Sequence, residues 1–362
     1  MIGLYCPDLP PVPGGVSDHT LALARALQAQ GFPPAVLGQR GDARRFAPLL
    51  CRTGVTVVEL DRAVLELGLG TLLVQYVPFL FARRGVSWAL CRAVSRLERR
   101  GVRLGFIVHE PYVPFTRLPW LITGWPMRWQ LRYVVRRAAV VYTPVPRFAE
   151  IVRRYARPRT PVRVVPVGSN LPLGKETRAE ARRALGLADG TVAVGVFSPA
   201  ASGMRLDWVD RARAALAGRR DVAWISFGFG CERLPRDRAA GDGWLRVADH
   251  AAGTVARAMR ALDVALAPYV DGLTLRRSSA MFALAHGVPL VSSTGHLFDP
   301  QLSGLAACET TPDGFAARVL QLIEDAAARA ALAERAGRYA ATASVEALAR
   351  TIVDDLGRGG DA

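Results

Sequence analysis

The chain has 362 residues, enough for two domains of ordinary size, and 51% hydrophobic with 22% charged residues is the balance of a folded globular protein. Extended disorder, collagen and long coiled coil are thereby excluded. Forty-seven basic against 31 acidic side chains leave a formal charge of +16, which favours phosphate-bearing partners; with Lys175 the only lysine, the arginine excess also fits an Ala/Arg/Gly/Pro coding bias.

Cys6, Cys51, Cys91, Cys231 and Cys308 are scattered, odd in number and without a CxxC pair, so neither a disulfide framework nor a zinc site is expected. The start of the chain lacks a basic segment and meets Asp8 and several prolines, unlike a secretory signal. The longest apolar run, residues 71–82, is broken by Gln75 and Pro78 and is too short to span a membrane. A cytoplasmic protein is expected, with no metal and no cofactor.

Short β-branched runs alternate with amphipathic stretches throughout, the pattern of βαβ units around parallel sheets. Strands are expected near residues 2–6, 34–37, 56–60, 72–76, 104–109 and 140–143. After Gly14 and Gly15, a helix is expected with Val16, Thr20, Leu23, Ala24 and Leu27 on one face and Gly31 as its stop. The Pro- and Gly-rich passage 157–174, with one short strand in it, reads as a linker. A second series of strands follows near 192–197, 222–227, 245–247, 264–267 and 289–292. The expectation is an α/β protein of two facing Rossmann-like domains, with ligand bound where the carboxyl ends of the strands converge.

Four segments carry candidate chemistry. Gly14 and Gly15 open the first helix, where paired glycines admit a ligand close to the backbone and free N–H groups attract an anion; the alternative is a tight turn with no ligand. Asp18 and His19 follow in the first turn, and His19 could equally face solvent. His109 and Glu110 end the fifth strand, where an imidazole can meet a substrate hydroxyl or a leaving group, or simply be a satisfied structural group. Asp18, His19 and Glu110 are candidate contacts for an acceptor or a sugar.

In the second half, Ser198 to Arg205 form a small-residue loop before a helix, suited to phosphate with Arg205 as counter-charge. Gly228, Phe229 and Gly230 end the next strand. The segment from Asp271 to Phe282 places Arg276, Arg277, Ser278 and Ser279 at the start of another helix. Cations there oppose the usual helix-dipole preference, a mismatch that a docked phosphate resolves; the alternative is a solvated basic face.

These segments resemble family 4-type retaining glycosyltransferases of the GT-B fold. Residues 10–31 are similar to that family's opening glycine loop and helix, 164–172 to its interdomain segment, and 262–295 to its donor-binding stretch. The family usually has two glutamates eight positions apart in that stretch. The matching positions here are Thr274 and Phe282 counting back from Gly287, or Asp271 and Ser279 counting from Asp271. The family's phosphate-binding Arg and Lys are reduced to Ser198 and Arg205 at the corresponding places.

The resemblance implies transfer of a sugar from a nucleoside diphosphate sugar to a glycan, lipid-linked or small-molecule acceptor, with retention of configuration. It implies Gly14, Gly15, Arg205, Arg276, Arg277 and Ser278 on the donor diphosphate, Asp271 on sugar hydroxyls and His109 at the sugar or the acceptor. The implied domains are residues 1–168 and 169–340, with 341–362 a helix returning to the first.

A GT-B nucleotide-sugar epimerase or a catalytically idle nucleotide-sugar scaffold are the alternatives. Specific nucleic-acid binding is not expected, since the arginines are dispersed and no reading motif is present. Aromatics (Phe115, Trp120, Trp125, Trp129, Tyr133) interleave with arginines (Arg117, Arg128, Arg132, Arg136, Arg137) over residues 112–137, a composition suited to peripheral membrane contact unless the aromatics are core.

Overall fold

The computed structural model describes residues 1–12, 14–113, 118–157, 160–201, 203–234 and 244–357, with backbone alone for 118–121 and 357. The chain divides into two compact units, Met1–Asn170 with Val345–Ala362, and Leu171–Ser344. The sequence places the divisions at 168/169 and 340/341; the units divide at 170/171 and 344/345.

In the first unit, β1 (Ile2–Tyr5), α1 (Gly15–Ala29), β2 (Ala35–Leu37), β3 (Cys51–Arg52), α2 (Leu60–Glu66), β4 (Thr71–Tyr76), α3 (Pro78–Phe81) and α4 (Trp88–Arg99) are followed by β5 (Arg103–Val108), α5 (Leu118–Val135), β6 (Val140–Thr143), α6 (Pro146–Tyr155) and β7 (Val162–Val164). The sheet order is β3-β2-β1-β4-β5-β6-β7, all parallel. The strands are nearly continuous apolar runs because helices cover both faces of such a sheet. One face packs Tyr5, Leu72, Val74, Phe106 and Val108 against α2, α4 and α5; the other packs Leu4, Leu73, Ile107 and Val140 against α1.

The second unit runs α7 (Arg178–Ala184), β8 (Val192–Phe197), α8 (Leu206–Ala215), β9 (Val222–Phe227), β10 (Trp244–Val247), α9 (Ala252–Ala261), β11 (Val264–Ala267), α10 (Ser278–Ala285), β12 (Leu290–Ser293), β13 (Ala307–Glu309), α11 (Pro312–Glu324) and α12 (Ala326–Thr342). Its sheet order is β10-β9-β8-β11-β12-β13, again all parallel. Each sheet reverses winding once, between β1 and β4 and between β8 and β11. In a doubly wound sheet, that point opens a crevice beyond the strand carboxyl ends.

Two corrections concern strands. Residues 56–60 form no strand: the Thr56 backbone N–H and hydroxyl both donate to the Glu59 carboxylate (3.1 and 2.7 Å), a local turn that leads into α2. The edge strands β3 and β13 escape sequence reading because they are two and three residues long and lack a pattern of their own. The α1 face is as expected, with Thr20, Leu23, Ala24 and Leu27 buried.

The final helix, α13 (Val345–Gly357), belongs to the first unit. Leu348, Ile352 and Leu356 are buried with Leu4, Leu23, Leu27 and Ile107. Asp355 locks it down: its carboxylate takes both arms of Arg163 and accepts the Tyr142 hydroxyl at 3.0 Å, while Arg103 donates to its backbone carbonyl at 2.8 Å. The Tyr142 hydroxyl is held well above its ordinary pKa, first by burial and then by the Asp355 charge. Ile352 is fully buried, so Ile352→Ala is expected to lower the free energy of unfolding by about 2–5 kcal/mol. Urea titration should show this as a lower midpoint at unchanged slope.

Candidate functional site

The polar groups of interest gather at the carboxyl edges of the two sheets, beside the two switch points. In the first unit, α1 begins after β1 with Gly14 in an extended conformation (φ 163°) and no side chain capping the helix. A Cβ on Gly14 would meet nothing nearer than Ser17 Cβ at 4.0 Å, so neither backbone strain nor packing requires glycine there. The Asn170 amide donates to the Gly15 carbonyl at 2.9 Å, holding the turn. Asp18 is exposed, and its carboxyl is raised by partial burial against the opposing effect of Arg45.

His19 does not face solvent: its exposure is 1%. The helix turns its ring toward β4, where Gln75 is fully buried, and toward His109, which follows β5 and is 7% exposed. The Gln75 amide lies between the two imidazoles. His109 Nε2 donates to Gln75 Oε1 at 2.6 Å, and Gln75 Nε2 donates to His19 Nδ1 at 3.4 Å. The rings meet edge to face, with centroids 5.2 Å apart. Two buried atoms of this edge, Ser17 Oγ and His19 Nε2, have no hydrogen-bond partner among the described residues. Glu110 is half-buried just beyond His109. Sequence reading missed Gln75; its signal was a polar residue interrupting an apolar run.

In the second unit, the loops after β8 and β11 are sewn together. Val270 N–H donates to the Gly203 carbonyl at 2.9 Å and Arg205 N–H to the Pro268 carbonyl at 2.9 Å, and Met204 bridges Tyr269. Ser198, at the head of the first loop, has φ +50°, the one positive value among the described non-glycine residues. Gly230 takes φ +80°, and a Cβ there would come within 2.1 Å of the Ala200 Cβ, so glycine is needed for the β9 loop to close on the β8 loop. Ser202 lies outside the described residues.

Asp271 receives both Arg276 and Arg277 in a buried ion triplet. Burial alone would raise the Asp271 carboxyl; the charges of Arg277 and Arg276 and their hydrogen bonds outweigh it and hold the group below the usual carboxylate range. Arg277 also lies over the Tyr269 ring, 4.2 Å from its centroid, and the Tyr269 hydroxyl shares a 2.5 Å hydrogen bond with Ser279. Ser293 fixes the Tyr269 backbone by donating to its carbonyl and accepting from its N–H, both at 2.6 Å.

α10 starts at Ser278, next to the arginines, without a side chain capping its first N–H groups. The expected dipole mismatch is therefore met in part inside the protein, where the Asp271 carboxylate is shared by the two guanidinium groups. Arg205 instead stacks on Trp208 (4.5 Å) and sits 3.4 Å from Asp207, more exposed than the triplet. Of the positions matching the family's glutamates, three carry no carboxylate. Phe282 and Thr274 are buried, and the Ser279 hydroxyl is spent on Tyr269. Among the described residues, no group of three or more His, Cys, Asp or Glu is placed to hold a metal ion.

Burial pushes the His19 imidazole down to about 4, with the Gln75 hydrogen bond working weakly the other way. The folded protein thus binds a proton at His19 only below that pH, whereas an unfolded histidine titrates near 6.5. Stability should rise with pH across the window from about 4 to 6.5, by roughly 3 kcal/mol from this group. Urea unfolding from pH 4.5 to 7 checks this, and His19→Asn should flatten that part of the slope.

Residues 13–171 match the model of Glycosyltransferase Family 4. No curated protein sequence matches the chain. Among solved structures, sucrose-phosphate synthase from Thermosynechococcus elongatus superposes with a TM-score of 0.67 at 15% identity, covering 98% of this chain and 97% of that one. The Anabaena protein HepE in complex with UDP gives 0.66 at 17% identity over 98% and 99% of the two chains. WaaG, a glycosyltransferase involved in lipopolysaccharide biosynthesis, gives 0.66 at 12% identity over 99% and 100%. At these identities the likeness carries the fold, and the family match covers the first unit. Together they give this chain the two-domain α/β fold of the GT-B type, with residues 13–171 similar to Glycosyltransferase Family 4.

Proposed function

We propose that the protein transfers a sugar from a nucleoside diphosphate sugar to an acceptor hydroxyl, with retention of configuration. The observation that carries this is the Asp271–Arg276–Arg277 triplet beside the uncapped start of α10. In the reaction, the bond from the sugar's anomeric carbon to the diphosphate oxygen breaks, and the acceptor oxygen bonds to the same carbon and loses its proton. Negative charge grows on the departing diphosphate. Preorganised guanidinium and backbone N–H groups stabilise that charge more than they stabilise the ground state.

Arg276, Arg277 and Ser278 would hold the diphosphate, with Arg205 as a more exposed counter-charge. Asp271 would set the geometry of the two arginines, and any contact it makes to sugar hydroxyls is shared with them. Gly14 and Gly15 leave room at an uncapped helix start for donor or acceptor oxygens. His109, with Glu110 next to it in sequence and His19 against it in space, would serve the sugar or the acceptor together with Asp18. Incubation with nucleoside diphosphate sugars tests the class. An epimerase converts the sugar without an acceptor and an idle scaffold only binds, whereas a retaining transferase gives a product whose anomeric configuration matches the donor by NMR.

Arg276→Ala and Arg277→Ala should each weaken nucleoside diphosphate binding by about ten- to a hundredfold, the scale of one charge-assisted hydrogen bond. Each single change leaves Asp271 one arginine, so the melting temperature should move little. The double substitution leaves a buried carboxylate without either guanidinium and should cost about 3–5 kcal/mol of stability. Calorimetric titration with nucleoside diphosphates decides: affinities within about twofold of the parent in both single variants would place the donor site elsewhere.

We also read the face formed by α4 and α5 as a peripheral membrane contact serving a lipid-linked acceptor. Ile122, Trp125, Trp88 and Trp129 are 76%, 69%, 58% and 44% exposed. Trp129 contacts both Trp88 and Tyr133, with ring centroids 5.1 and 5.0 Å away. Arg132 and Arg136 are exposed, while Arg137 is drawn onto Tyr133 and Glu98, and Arg128 onto Tyr112. Phe115, Arg117 and the Trp120 side chain lie outside the described residues. No helix among the described residues is long and apolar enough to cross a membrane. Vesicles rich in anionic lipid should retain the protein at low salt, with retention lost in a Trp125→Ser, Trp129→Ser variant; failure of the parent to sediment removes this reading.

A further inference from the structure

The Gln75 side chain is fully buried on β4, and both ends of its amide are committed. Its contact to His109 Nε2 is 2.6 Å, too short for an amide nitrogen facing a ring nitrogen, so the carbonyl oxygen faces His109. His109 must therefore carry a proton on Nε2. The amide nitrogen then faces His19 Nδ1, which must accept and so cannot carry the proton of a neutral ring. The His19 proton is left on Nε2, a fully buried atom with no acceptor among the described residues. A neutral donor held without an acceptor costs desolvation energy. It is placed in the first turn of α1, beside the Gly14–Gly15 opening and the partnerless Ser17 hydroxyl.

We propose that Gln75 is a positioning residue: it fixes the tautomers of His19 and His109 together, so that His19 presents Nε2–H to an oxygen of the acceptor or of the transferred sugar. Its role in turnover rests on the transferase reading; the tautomer assignment does not. The ligand oxygen supplies the missing acceptor. A neutral donor at this place binds a hydroxyl or ring oxygen without adding a charge that would compete for the diphosphate.

The test is 15N NMR of the imidazoles in the full-length protein, assigned by replacing histidines singly among the five present. The parent should show His19 protonated at Nε2 and bare at Nδ1, and His109 protonated at Nε2. In Gln75→Glu the carboxylate can only accept, so His19 must move its proton to Nδ1 or take a second one, and its Nδ1 signal must change class. Gln75→Met keeps the length and loses both hydrogen bonds. It should lower kcat about tenfold, the scale of one misplaced hydrogen bond, with KM for the nucleotide sugar within about twofold.

A parent protein with His19 protonated at Nδ1 overturns the proposal whether or not either variant folds. So does a Gln75→Met enzyme with unchanged kcat. If the spectra are as expected but no nucleoside diphosphate sugar is turned over, the pairing stands, and the proposed role in turnover falls with the transferase reading.

Discussion

A parallel sheet must bury both faces, and its backbone hydrogen bonds run out where the strands end. These two facts organise the rest of the molecule. Burial makes the strands apolar and sends the helices to both faces, so polar side chains are pushed to the carboxyl edges. At those edges the winding reverses, between β1 and β4 and between β8 and β11, and the connecting loops diverge. His19, Gln75 and His109 collect at the first edge, and Asp271, Arg276 and Arg277 at the second.

The two edges solve the cost of burying polar groups in opposite ways. The first keeps His19 neutral: burial disfavours its imidazolium form, and Gln75 satisfies one nitrogen of each ring without adding charge. The second keeps its groups charged and compensates them by contact, one carboxylate against two guanidinium groups. A buried ion pair seldom adds much stability over apolar packing. Two guanidinium groups on one carboxylate, beside a helix start without a side-chain cap, are the feature on which the proposed anion binding rests.

The connection of the last helix to the first unit has a comparable logic. α13 buries Leu348, Ile352 and Leu356 on the first sheet's helical layer, and Asp355 draws Arg163, Tyr142 and Arg103 from two neighbouring strands and a third. Residues more than 180 positions apart in the chain thereby share one core, so the first unit is complete only when the end of the chain has docked.

Much of this was legible in the sequence. Alternating β-branched runs and helical stripes announce parallel α/β units, because side-chain period follows directly from backbone geometry. The Gly14–Gly15 helix start and the misplaced Arg276 and Arg277 are visible for the same reason, since a helix terminus has known orphan groups and a known dipole. The two-residue β3 has no period to read, and residues 56–60 begin with three β-branched side chains yet turn because Glu59 captures the Thr56 backbone. Partnership was beyond reach as well. That His19 is buried, and that Gln75 joins His19 to a histidine 90 positions later, depend on which strands lie side by side. Sheet order is decided by packing across the whole unit, and no local pattern in the chain encodes it.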